Sequence, residues 1–409
     1  MSGRSRGVKS KSKRDAKTAS LPAFRRTGRL ITYRAAHYRT GEKFAFTFRD
    51  GRLAEQHPSR GHTDLVFGPG FFDLQNNGYA GVDFNHPGTT VEQTAEGIRA
   101  TWRHGCTHVL PTVVTAQPER LEHLLRTLEA ARQIKDIRES VPGFHVEGPF
   151  ISPIDGARGA HPLHAVCDVN LKVWNQLQRA TNRGIALHTL APEVRGALPF
   201  IARLRSENVL PAIGHTMADT ALVQRAADAG ALMSTHLGNG CPQQLHRHNN
   251  MILAQLGCDQ LAASLITDGI HLPPEVVRSF FRGKGLERTV VVTDSMAAAG
   301  APPGRYTLAD MTLEVGADRV VRLPGHPNFA GSALTMDCAV ANLARMAGIP
   351  LADAWDAGSL LPWKLLRTAR NEPTGTPVKS WIIARPSDGA LDVQATVRGR
   401  VVLWRAEEE

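Results

Sequence analysis

The chain has 409 residues, 42% apolar and 21% charged, the balance of a soluble globular protein. No apolar run is long enough to span a bilayer, and the N-terminus lacks the apolar core of a secretory signal. The five cysteines are scattered and form no CxxC pair, which argues against a disulfide scaffold or a cysteine zinc site and leads us to expect a cytoplasmic, reducing location.

The net charge of +10 belongs to one end. Residues 1–29 hold ten of the 48 Lys/Arg and one of the 38 Asp/Glu, leaving 38 basic against 37 acidic side chains in the rest. This tail has no apolar periodicity and is expected to be disordered. Three readings stay open for it: a solvated extension, a contact with nucleic acid or an anionic surface, and an organelle transit peptide. Residues 30–67 include FAFTFRDGRLAEQ, alternating apolar positions around an Asp-Gly pair, which predicts a β-hairpin. The segment SWIIARPSDGALDVQATVRGRVVLW near the other end repeats the pattern. The two are expected to pair into one small β-sandwich, residues 30–67 plus 375–409.

Between them, in residues 68–374, strands and helices alternate. The strand candidates are VFGPGFFDLQ, HVLPTVV, VPGFHVEG, GIALHTLAP, VLPAIGH, ALMSTHLG, LAASLITD and RTVVVTD. Stretches such as VEQTAEGIRATWRHG and MDCAVANLARMAG, with apolar residues three and four apart, predict helices. Eight such units imply a (β/α)8 TIM-like barrel, so the fold class is α/β with a small β-sandwich domain built from both chain termini.

Chemistry in such a barrel sits at the C-terminal ends of the strands. There this chain places Glu147, His215 and His236, which suit a divalent metal with one position left open. Zinc is the first expectation, with Fe2+, Co2+ and Mn2+ sharing such ligands. Asp294, ending the eighth strand, is the candidate general base and acid beside the metal. His161, in RGAHP, is placed to donate to a developing oxyanion. His271 follows the seventh strand. The loop carrying His246, Arg247 and His248 is basic enough to hold an anion, or is simply a solvated loop. His188 and the other histidines are read as structural or exposed.

The motifs HVEGPFIS, RGAHP, TLAPE, GHTMAD, THLGNGCP, DGIHLPP, VVTDSMAAAG and FAGSALTM, in that order, make the chain resemble the N-acetylglucosamine-6-phosphate deacetylases of the amidohydrolase superfamily. That resemblance implies a metal-dependent deacetylase hydrolysing the N-acetyl amide of an amino-sugar phosphate. It implies Glu147, His215 and His236 as metal ligands, Asp294 as acid/base and His161 as a substrate contact beside Ala160. Asn239 and Gly240 would line the sugar site, Arg247 would hold the phosphate, and Asp268, His271, Phe329, Ala330 and Gly331 would complete it. Gln75-x-Asn77 in the first strand resembles the single-metal branch, so one cation is expected. The family forms dimers in which the phosphate-holding Arg comes from the neighbouring subunit, which implies a homodimer here. The family's THLYNAMP, GREPG and TDAxxPAG read THLGNGCP, HRHNN and TDSMAAAG in this chain, changes that surround the substrate rather than the metal. The rival readings are an amidohydrolase for a different N-acyl or cyclic amide, and a non-catalytic binding protein using its basic tail.

Overall fold

The computed structural model describes residues 29–324 and 331–406. The expectations for the basic tail through residue 28, and for Phe329 and Ala330, lie outside the described residues. No helix among the described residues is long and apolar enough to cross a membrane.

All eight barrel strands stand where the apolar runs predict them. They are Phe71–Asn76, Cys106–Val114, Phe144–Glu147, Ile185–Leu190, Leu210–Ile213, Met233–Ser234, Ala262–Ile266 and Thr289–Val292, neighbours in space in chain order. Each hydrogen-bonded neighbour pair is parallel. Helices cross between them, as amphipathic 3.6-residue periodicity requires. The helix Val91–Thr101 starts at a capping box in which Thr90 accepts from the Gln93 N–H and the Gln93 side chain reaches back to the Thr90 N–H.

The eighth strand meets the first by a sparse seam rather than a full ladder. An isolated parallel bridge joins Asn76 and Ser295. The Asp294 N–H donates to Gln75 O (3.0 Å), and the Asn77 N–H donates to Ser295 O (2.7 Å). Below them the buried Asp73 carboxylate accepts from the Thr293 N–H at 3.1 Å and its hydroxyl at 2.5 Å.

Both chain ends meet in a second sheet, as the paired Asp-Gly hairpins suggest. Its order is Leu30–His37, Lys43–Arg49, Arg52–Pro58, Val401–Arg405, Ala390–Arg398, Ser380–Ser387, Val66–Pro69 and back to Leu30–His37. The sheet is therefore closed on itself, and its opposite walls face one another as the layers of a sandwich would. Asp50 and Gly51 (φ 46° and 73°) form the two-residue turn whose twist matches the flanking strands. Phe46, Phe48 and Leu53 from the N-terminal side pack with Ile383, Val397 and Val402 from the C-terminal side.

A third element was not foreseen. Gly304–Leu308, Met311–Val315 and Val321–Arg322 form a three-stranded sheet directly after the eighth barrel strand. Arg319 donates to Ala298 O (2.8 Å) and Ala301 O (2.7 Å), pinning this sheet to the segment that follows Asp294.

His188 is structural, as the sequence suggests, and costly. It is fully buried between Phe150, Trp174 and Phe200, and neither ring nitrogen has a hydrogen-bond partner among the described residues. Burial, helped by nearby His145, pulls its pKa down to about 3. In the unfolded chain the ring titrates near 6.5, so between these values the unfolded state binds more protons. Stability is then complete above pH 6.5 and is lost as pH falls towards 3. Between pH 7 and pH 5 this residue alone should remove about 2 kcal/mol. His188→Phe should flatten that loss, whatever offset the new ring introduces, when urea midpoints are compared at the two pH values.

Candidate metal centre and active site

Glu147 is the last residue of the third strand and is buried. The three other polar groups around it follow one rule. His215, His236 and Asp294 each lie two residues beyond a strand end, after Ile213, Ser234 and Val292. All three occupy the left-handed region, at φ 51°, 31° and 49°. A non-glycine residue held there costs on the order of 1–3 kcal/mol and persists only where its surroundings fix it. Here backbone bonds do so. The His215 carbonyl accepts from the Ser152 N–H (2.9 Å), the His236 N–H donates to Ser264 Oγ (2.7 Å), and Asp294 is held at the seam.

The ligand atoms converge. Glu147 Oε1 lies 2.9 Å from His236 Nε2 and 3.2 Å from His215 Nε2, and the three ligand atoms lie within 4.8 Å of one another. It is the only such trio of potential metal ligands among the described residues. His215 Nδ1 is 3.0 Å from the carbonyl of Ala157, which can only accept, so that nitrogen carries a proton and the ring is held with Nε2 turned towards Glu147. A buried carboxylate oxygen and two imidazole nitrogens converging on one point are the donor set of a catalytic metal. These residues therefore fit a divalent cation. Burial would raise the Glu147 carboxyl, but hydrogen bonds to His215 and His236 hold it well below the usual range, ready to serve as a ligand.

Asp294 faces the same centre. Gln75 Nε2 lies 3.1 Å from Glu147 Oε1 and 3.0 Å from Asp294 Oδ1, and Asn77 Nδ2 lies 2.7 Å from the same Oδ1. Burial, then the charge of Glu147, raises the Asp294 carboxyl to about 6, while His236 and His271 pull the other way. His161 reaches over the centre with Nε2 3.3 Å from His215 Nε2. Burial, then the charge of His215, lowers it to about 3, which keeps its ring neutral.

The remaining candidates divide. Gly240 is at the centre: a Cβ there would sit 2.8 Å from His215 Nδ1, and its φ of 57° also favours glycine. Asn239 is half-buried beside it, its side chain donating to His236 O. Gly331 packs against the Asp294 carbonyl, and Ser332 bonds that carbonyl from its N–H. Asp268 clasps His271, with Oδ2 2.6 Å from Nδ1 and Oδ1 accepting both the Ile270 and His271 N–H groups. Ala160 is exposed next to His161. Arg247 is not drawn in: it is exposed and bonds to none of the described residues. Its loop is nevertheless anchored, because His246 Nδ1 accepts from the His248 and Asn249 N–H groups and Asn250 caps the helix Met251–Gly257.

Two contributions escape a reading of residue types. Gln75 and Asn77 are visible in the sequence only as poor ligands, not as donors to Asp294. Glu193, the last letter of TLAPE, accepts from the Thr216 hydroxyl (2.5 Å) and the Met217 N–H (2.6 Å), bracing the turn that carries His215. Only the adjacency of TLAPE and GHTM on neighbouring strands hints at it.

An eight-stranded parallel barrel with a Glu-His-His cluster and an aspartate after its last strand defines a metal-dependent hydrolase of the amidohydrolase superfamily. No family model matches the chain. It is 33% identical over 298 residues to an N-acetylgalactosamine-6-phosphate deacetylase of Escherichia coli O157:H7, covering 73% of this chain and 77% of that protein. It is 30% identical over 378 residues to the N-acetylglucosamine-6-phosphate deacetylase of Rattus norvegicus, covering 88% of each. Among solved structures, an N-acetyl-D-glucosamine-6-phosphate deacetylase mutant of Mycobacterium smegmatis, in complex with N-acetyl-D-glucosamine-6-phosphate, superposes with a TM-score of 0.76 at 26% identity, covering 88% of this chain and 94% of that one. The chain belongs to the N-acetylglucosamine-6-phosphate deacetylase family. It is an amide hydrolase of the deacetylase type, acting on a carbon–nitrogen bond other than a peptide bond.

Proposed function

We propose that this chain hydrolyses the N-acetyl amide of N-acetylglucosamine 6-phosphate to give glucosamine 6-phosphate and acetate, using one divalent cation held by Glu147, His215 and His236. Zinc is the cation we expect, and Fe2+, Co2+ or Mn2+ would suit the same donors. The observation that carries the reading is the placement of Asp294 beside that trio, joined to it through Gln75. When bound, the cation supplies a water of lowered pKa and polarises the amide carbonyl. Asp294 takes the proton of the attacking water. His161 donates a hydrogen bond to the oxygen as negative charge develops on it. Asp294 then delivers the proton to the nitrogen as the carbon–nitrogen bond breaks. The water oxygen ends on acetate, and the free amine leaves.

Asn239, Gly240, Asp268, His271, Ala160 and Gly331 border this space in our reading. Arg247 meets the phosphate, its exposed loop being suited to a homodimer in which it serves the neighbouring subunit. A cytoplasmic enzyme accords with five cysteines that are all free. A second reading, the 4-epimeric galactosamine substrate, is favoured by the 33% identity to a protein of that name. Acetate release from both phosphorylated sugars and from unphosphorylated N-acetylglucosamine, with metal quantified in the same preparation, separates these. Arg247→Ala should raise KM for the phosphorylated sugar about 10–100-fold, the worth of a charged hydrogen bond, and leave the unphosphorylated sugar unchanged.

A further inference from the structure

Gln75 and Asn77 are neutral, buried and chemically inert, yet both turn their amides towards the one group that must carry the proton. Residues two apart on a strand share a face. Asn76 between them points the other way, its side chain donating to Asp73 and its N–H to Thr112. The amide orientations follow from the partners, because carboxylates only accept. That choice leaves Gln75 Oε1 and Asn77 Oδ1, like the neighbouring Asn76 Oδ1, with no hydrogen-bond partner among the described residues. The Gln75 and Asn77 amides both donate to the same oxygen, Asp294 Oδ1, whereas Oδ2 accepts nothing from the described residues.

Resting on the function proposed above, we propose that Gln75 and Asn77 are positioning residues which hold Asp294 Oδ1 so that Oδ2 alone carries the proton between water and amine. The two N–H groups fix the carboxylate plane and make one oxygen a spectator. Gln75, donating from one nitrogen to both Glu147 and Asp294, also sets the spacing between the cation-holding carboxylate and the proton-carrying one. The backbone supports this role: the Asn77 N–H and carbonyl are tied to Ser295 and Phe84.

Asn77→Leu removes one donor at similar volume. It should lower kcat about 10–100-fold with KM within about threefold and with metal per chain unchanged, the loss expected when a proton-transfer group is misaligned. In an Asp294→Asn background, Asn77→Leu should cost nothing further, because residues acting as one unit are not additive. A merely structural role would lower both backgrounds alike and raise KM. A crystal structure of Asn77→Leu gives a readout independent of substrate and should show the Asp294 carboxylate rotated or in more than one orientation. An unmoved Asp294, or a kcat within about twofold of the parent, overturns the proposal. A parent enzyme that releases no acetate would instead overturn the function, while the crystallographic result still decides this inference.

Discussion

Replacing Asp294 with Asn is expected to cut turnover by about a thousandfold or more while the protein keeps its metal, since a positioned acid/base contributes on the order of 10^2–10^4 and the proposed scheme uses this one group twice. The substitution is unusually clean. The new side-chain carbonyl can still accept from Gln75 and Asn77, as Oδ1 does now at 3.0 and 2.7 Å. The side chain therefore keeps its place and loses only its capacity to take a proton. Acetate release and elemental analysis on one sample test both halves. Undiminished turnover would remove Asp294 from the reaction.

His215→Ala should act at the other end of the same scheme, emptying the site. In the proposed scheme three donors from distant parts of the chain share one cation, and an alanine leaves two. Glu147 would also lose the 3.2 Å contact to Nε2 and remain buried with less compensation. Metal per chain after dialysis should fall to near zero, and activity with it. A variant that retains stoichiometric metal would mean that the cation is held elsewhere. The two substitutions thus divide binding from chemistry: one keeps the metal and loses turnover, the other loses both.

These residues were legible in the sequence for a physical reason. A buried parallel strand reads as a short apolar run, so a Glu or His at its end stands out against its neighbours. The eight runs and the Glu147, His215, His236 and Asp294 assignments all follow from that contrast. What periodicity does not carry is partnership across the fold. Asn77 and Asp294 are 217 residues apart, and nothing in either segment says that an amide will meet that carboxylate. The left-handed turns at His215, His236 and Asp294 were equally hidden: His and Asp enter that region more readily than most residues, but which of them do so is set by tertiary contacts. The closed form of the terminal sheet was missed because alternation reports an inner and an outer face but not whether the first strand finds the last. The Gly304–Arg322 insertion sits among short, half-exposed strands whose apolar signal is weak.

The closed terminal sheet has a consequence for how the molecule is made. Arg52, near the start of the chain, pairs with Val401, near its end. During synthesis Leu30–His37 has both its neighbours, Lys43–Arg49 and Val66–Pro69, close by in sequence, whereas Arg52–Pro58 lacks its second neighbour until Val401–Arg405 has been made. For that interval the nascent chain carries an open strand edge, the feature most prone to pairing with other chains. Val401–Arg405 therefore seals an edge that was made before any strand of the barrel.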